Sequence, residues 1–196
     1  MSDFAPMINV GKRSWKPGTM LSPVPAVMVT CQGKQGKANI ITIAWAGTVC
    51  SDPPMLSISI RPERYSYGLI KESGEFVVNI PDKRVARETD LCGVISGRTH
   101  DKFHETGLTA GKSETVRAPI ILECPINIEC KVDREIPLGS HIMILAKVTS
   151  VQVSDHLIDE KGRLQSDKAA LIGYAHGHYY QLGKKLGHFG YSVKKN

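Results

Sequence analysis

The sequence predicts a mainly β fold: one domain, 1–196, built as a closed or nearly closed antiparallel β-barrel with a few short helices. Three observations predict it. Apolar and polar residues alternate with period two over much of the 196-residue chain, the pattern of half-buried strands. Only two stretches show helical spacing. No repeat, low-complexity segment or Pro-rich linker divides the chain, and at this length one domain buries a core without metal or disulfide staples.

Taken in order, Val27-Met28-Val29-Thr30 opens a strand, Gly33-Lys34-Gln35-Gly36 turns it, and a second strand is expected from Ala38 to about Val49. Pro53-Pro54 breaks the chain. Leu56, Ile58 and Ile60 then alternate with Ser57, Ser59 and Arg61, so one face enters an apolar core while the other carries hydroxyls and a cation. Ser66 reads as the N-cap of a short helix through about Glu72 that ends near Gly74. Arg84 to Cys92 carries Val85, Thr89 and Cys92 on one helical face, with Gly93 and Gly97 as stops.

Polar, Gly-containing composition predicts a long ordered loop or lid from Ser96 to Lys112. Ile126, Ile128, Cys130 and Val132 alternate with Asn127, Glu129, Lys131 and Asp133, a strand expected to bury its apolar set and solvate the other. After a turn at Pro137-Leu138-Gly139, a later strand is expected from about His141 to Val153.

Composition narrows the function classes. Hydrophobic residues make up 41% and charged residues 22%, which is ordinary for a globular protein and excludes disordered and collagen-like chains. No apolar run approaches the roughly 20 residues needed to span a bilayer, and the first fifteen residues, MSDFAPMINVGKRSW, show neither a charged n-region nor an apolar h-region. A cytoplasmic protein with no membrane partner is expected. The five cysteines, Cys31, Cys50, Cys92, Cys124 and Cys130, form no CxxC pair and read as reduced thiols. The net charge is +6, but the basic residues are spread along the chain apart from Lys184-Lys185 and Lys194-Lys195, and aromatics are only 6%. Nucleic acid is therefore disfavoured as a partner.

The candidate site lies between Ala38 and Asn79. Thr42, Ala44 and Ala46 share one face of the predicted strand, opposite Ile41, Ile43 and Trp45. Small side chains leave room for a flat ring and a threonine hydroxyl can bond its polar edge, although Thr and Ala also fit a crowded barrel. Arg61 and Arg64 bracket Pro62-Glu63, and Tyr65-Ser66 follows at a helix start, where unpaired N–H groups and guanidinium groups favour a phosphate. Capping by Ser66 is compatible with that. His100 and His104, or His176 and His178, are spaced to share a transition metal, but neither pair has an evident third ligand. Cys50 beside Ser51-Asp52 lacks an evident His base. The chemistry then falls to a cofactor.

Several further fragments stand in a fixed order: Asn39 with Trp45, Asp52-Pro53-Pro54, Arg61-Pro62, Tyr65-Ser66, Phe76-Val77-Val78-Asn79, Ser96-Gly97 with Asp101-Lys102-Phe103, Glu129-Cys130, Gly139-Ser140-His141, and the ending Tyr179-Tyr180-Gln181-Leu182-Gly183-Lys184-Lys185-Leu186-Gly187. In this order the chain resembles the flavin reductase-like family, with its FMN-binding split-barrel fold, and the flavoredoxin branch in particular. The resemblance implies a homodimer with FMN near the subunit interface, held by Thr42, Ala44, Trp45, Ser59, Arg61, Tyr65, Ser66 and Asn79, with Lys102 and Phe103 at the site or its rim. It implies an oxidoreductase that passes electrons through FMN to free flavin, a redox partner or a small acceptor, with NAD(P)H as the usual donor. Related reductases often carry Gly-Asp-His where this chain has Gly139-Ser140-His141, so a protein donor is the alternative. His141 is read either as a substrate-side contact or as the first residue of a strand.

Overall fold

The computed structural model describes residues 11–193; the readings made on residues 1–10 and on Lys194-Lys195 lie outside them. The strands are β1 (Val24–Pro25), β2 (Val27–Gln32), β3 (Ala38–Ile43), β4 (Ala46–Ser51), β5 (Pro54–Ile60), β6 (Glu75–Ile80), β7 (Ala110–Gly111), β8 (Ile120–Ile121), β9 (Ile126–Pro137), β10 (Ile142–Val153), β11 (Ile172–Ala175) and β12 (His178–Gln181). The α-helices are α1 (Tyr65–Ser73), α2 (Ala86–Val94) and α3 (Lys102–Thr106).

Seven strands form one antiparallel sheet in the order β3-β2-β6-β9-β10-β5-β4. The register sets Val29 opposite both Ile41 and Val78, and Ile58 opposite Ile144, so their side chains share one face of the pleat. That face curls around a single buried cluster to which β2, β3, β5, β6, β9 and β10 all contribute, and Leu69 and Ile70 of α1 enter it as well. The edges β3 and β4 form no ladder with each other. The barrel is split there. β2 is buried on both faces because a second cluster, Met28, Ile40, Val85, Cys92, Leu108, Ile121 and Cys124, covers its outer side, so it reads as a continuous apolar run. A smaller sheet, β1-β11-β12, stands beside the barrel.

Five elements differ from the sequence expectation. The strand expected from Ala38 to Val49 is two strands: β3 pairs with β2, the chain bends at Ala44-Trp45, and β4 pairs with β5. Ser59 N–H donates to the Trp45 carbonyl at 2.8 Å and fixes that bend. Helix α1 is capped by the extended backbone of Arg64, not by Ser66, and ends at Gly74 with φ +71°, where a left-handed residue is required. Helix α2 runs through Gly93. A Cβ there would sit 3.3 Å from Thr42 Cβ, so glycine lets the helix lie close on β3. The Ser96–Lys112 stretch holds α3, whose cap Asp101 accepts from His104 N–H at 3.2 Å.

The fifth difference is in β9, where Asn127 and Glu129 are buried instead of solvated. Glu129 has no exposed surface, because residues 113–118 pass over it. It accepts from Glu114 N–H (2.8 Å), Thr115 N–H (2.6 Å), Thr115 Oγ1 (2.7 Å) and Gln152 Nε2 (3.0 Å). Among the described residues no helix is long and apolar enough to cross a membrane.

Candidate functional site

Two adjoining cavities open where β3 leaves the barrel. The first, about 400 Å³, is lined by Asn39 and Ile41 of β3, by Arg61, Glu63, Arg64, Tyr65 and Ser66 at and before the start of α1, and by Ile95 to Gly97 and Lys102. The second, about 180 Å³, lies along Thr42, Ala44, Trp45, Ser59, His141 and Tyr174. Ile41, Arg61 and Arg64 belong to both, so the two are one continuous groove.

Lys102 dominates the first cavity. As the first residue of α3 it turns inward, is 4% exposed, and donates to the Ile40 and Cys92 carbonyls at 2.7 Å each. One of its three ammonium protons is left. No carboxylate lies within ion-pairing distance of it among the described residues. Burial pushes the ammonium below its ordinary pKa, and the Arg64 guanidinium pushes the same way. A buried cation without a counter-ion is costly, and an anion in this cavity would relieve it.

The other walls suit the same charge except for Glu63, which pairs with Arg61 at 3.6 Å. Helix α1 has no side-chain cap; Tyr67 N–H bonds the Arg64 carbonyl at 3.0 Å, and the Tyr65 and Ser66 N–H groups precede the first intrahelical bond. Ser66 is buried and accepts from Asn39 Nδ2 at 2.7 Å, which ties the helix start to β3. Arg98 stacks over the Tyr65 ring at 5.4 Å. Gly97 lies against Asn39, and a methyl there would overlap the Asn39 amide. Gly97→Ala is therefore expected to push Asn39 off Ser66 and to weaken ligand binding in this cavity about tenfold, while the barrel melts within a few degrees of the parent. Titration of the ligand alongside a thermal scan checks both.

In the second cavity Thr42 Oγ1 donates to the Thr89 carbonyl of α2, so its proton is engaged while its lone pairs remain. Ser59 is half-buried on β5, as the alternation predicts. His141 sits one residue before β10 and its Nδ1 meets Ser140 Oγ at 2.9 Å, leaving Nε2 unengaged among the described residues. Trp45 and Ala44 occupy the bend itself.

Two expected residues lie elsewhere. Asn79 is fully buried, donates to the Met28 carbonyl (2.9 Å) and Thr30 Oγ1 (3.1 Å), and accepts from Ile121 N–H and Asn127 Nδ2. Its hydrogen-bonding capacity is spent holding β2, β6, β8 and β9 together. Phe103 faces the second core cluster and lines neither cavity. On a short helix, turning Lys102 toward the groove turns its neighbour away.

The remaining reactive side chains do not join the groove. Cys31, Cys92, Cys124 and Cys130 are buried free thiols, and burial pushes Cys31 and Cys130 up to about 12 and Cys92 to about 11. His100 pairs with Glu105 at 2.5 Å. His176 forms the β11–β12 turn with Gly177, both at positive φ, so it does not share a strand face with His178. Among the described residues no three His, Cys, Asp or Glu side chains are placed to hold a metal.

Sequence reasoning left out Asn39, Gly97 and Tyr174 as site residues. Asn39 and Gly97 stood in quoted fragments, and a glycine followed by a buried polar contact was the available signal. Tyr174 had none, because only folding brings β11 to Trp45.

The fold and groove define the class: a split barrel whose open edge carries a cavity lined by three cations and continuous with a narrow cleft. A family model described as "Flavin reductase like domain" matches residues 19–183, and the chain belongs to that family. Its structure superposes on flavoredoxin of Desulfovibrio vulgaris (Miyazaki F) with a TM-score of 0.88 and 31% identity, covering 94% of this chain and 100% of that one. Flavoredoxin from Methanosarcina acetivorans gives a TM-score of 0.85 at 25% identity over 94% of this chain and 100% of its own. An uncharacterized protein of Archaeoglobus fulgidus is 34% identical over 125 residues, 64% of this chain and 71% of that protein.

Proposed function

We propose that this chain binds FMN along the groove and works as an oxidoreductase. The observation that carries the reading is Lys102, a buried cation with no carboxylate partner among the described residues, which lines a cavity continuous with a narrow cleft. The phosphate fits this corner: Lys102, Arg61, Arg64 and the start of α1 would hold it. Thr42, Ala44, Trp45, Ser59 and His141 would flank the ring. When bound, the flavin supplies the electron-transfer chemistry; the chain supplies position, charge and exclusion of water. No side-chain acid or base is assigned.

The acceptor in this reading is free flavin, a redox partner or a small molecule. Two donors compete, NAD(P)H and a low-potential protein. Ser140 favours the second, since it offers His141 a hydroxyl instead of a carboxylate. The working unit is proposed to be a homodimer with FMN near its interface, supported by the fully exposed Leu186 and Phe189 on the C-terminal segment.

The visible spectrum of freshly purified protein is the first test, followed by anaerobic mixing with NADH, NADPH and a reduced protein donor. A colourless protein that takes up no added FMN would sink the reading. Failure of both nucleotides where the protein donor succeeds would select the electron carrier. Arg61→Ala is expected to weaken FMN about three- to tenfold and riboflavin little, since Arg61 is exposed and its charge is screened. Parallel fluorescence titrations check this.

A further inference from the structure

We infer that the crevice on the α2 side of Thr42 and Ala44 is a binding site for a small planar aromatic molecule that is neutral or positively charged. It measures about 240 Å³ and is bounded by Thr42, Ala44, Val94, Tyr174, Tyr179 and Asp90. A cavity of about 150 Å³ is enough to hold benzene, so one ring with a polar substituent fits. Thr42, Ala44 and Tyr174 also line the proposed ring cleft, and Tyr174 with Trp45 continues into a third cavity of about 270 Å³. Three cavities therefore meet at one tyrosine.

The walls select shape and charge together. Tyr174 and Tyr179 pack edge to face, centroids 5.6 Å apart at 67°, and make an angled aromatic wall against which a flat ring packs favourably. Gly93 keeps α2 close to Thr42 without a side chain filling the gap. Tyr179 donates its hydroxyl to Asp90 Oδ1 at 3.2 Å, and burial with the Asp90 charge raises that hydroxyl to about 12, so it stays a donor at neutral pH. The carboxylate retains free lone pairs for a ligand N–H. Among the described residues Asp90 is the only charged one lining this crevice, whereas three cations, Arg61, Arg64 and Lys102, outweigh the Glu63 carboxylate at the other end of the groove. An anion is drawn to one end and repelled at the other.

The role of the site, holding a small molecule beside the flavin ring, rests on the reading above; its occupancy does not. Benzamidine, benzamide and benzoate share one shape and differ in charge, and calorimetric titration of the full chain, with and without added FMN, tests the inference. Saturable binding of benzamidine and benzamide is expected, with benzoate about fivefold weaker or worse, a ratio limited by the exposure of Asp90. Asp90→Asn should erase that charge preference. Val94→Trp, at an exposed position on the last turn of α2, should fill the crevice and abolish all three while FMN affinity is kept. No saturable binding of the uncharged and cationic probes, an unchanged ranking in Asp90→Asn, or unaltered binding in Val94→Trp would each overturn the site. A protein that takes no FMN but shows the Asp90 and Val94 effects would overturn the flavin reading and leave the site standing.

Discussion

Replacing Lys102 with methionine is expected to lower FMN affinity by about 10- to 100-fold and to leave riboflavin nearly unaffected. The lost interaction is a charge-assisted hydrogen bond in a buried place, worth about 1.5–3 kcal/mol, and only FMN carries the phosphate that makes it. Without ligand the same change should shift the melting temperature little. It removes a buried charge that has no counter-ion among the described residues but leaves the Ile40 and Cys92 carbonyls without their donor, two effects of similar size and opposite sign. For the parent, burial lowers the Lys102 pKa, so FMN affinity should decline on the alkaline side sooner than an ordinary lysine would allow, as the ammonium loses its proton. Equal losses for the two flavins would place Lys102 outside the phosphate corner.

Glu129→Ala should have the largest effect on stability, about 3 kcal/mol, from leaving Thr115, Gln152 and two backbone N–H groups without their acceptor. Residues 113–118 should become the first part of the barrel to exchange amide hydrogens. Burial alone would raise the Glu129 carboxyl, yet the hydrogen bonds from Glu114, Gln152 and Thr115 together bring it below its ordinary value. The sign follows: the folded pKa is depressed, so this contribution is complete above the unfolded value of about 4.3 and is lost as pH falls through the folded one. Glu129→Gln should thus be less stable than the parent at pH 7 and lose less stability on acidification. Denaturant titrations at neutral and acidic pH measure both, and parallel acid limbs would refute the assignment.

Glu129 also shows where sequence reading stops. Alternation in Ile126–Asp133 correctly marks a strand, but it assigns Asn127 and Glu129 to water because period two reports the two faces and not what covers them. The segment 113–121, folded back from β7, buries that face, with Glu114 and Thr115 over Glu129 and Ile121 over Asn127. Asn79 repeats the lesson. A polar residue at a strand end looks available for a ligand until Met28, Thr30, Ile121 and Asn127 take its bonds.

The strand break at Ala44-Trp45 went unread for a different reason. Ala38–Val49 has uniform β character, and nothing local says that its halves pair with opposite edges of the sheet. The bend is imposed by barrel curvature and by the Ser59 bond to Trp45. It is also what opens the cleft, so the site owes its shape to a feature that local propensity does not encode.

What the sequence by itself determined is the β character, the α1 helix with its Gly74 stop and the family, all of which depend on side-chain period, turn chemistry or ordered fragments that lie close together in the chain. The tertiary structure alone decided which polar residues reach the groove. Lys102 arrives there from 62 residues beyond Ile40, and Tyr174 reaches Trp45 from a separate sheet. The physical reason is that exposure and hydrogen-bond satisfaction are settled by distant segments, so a residue's type states what it can do and the packing around it states whether it is free to do so.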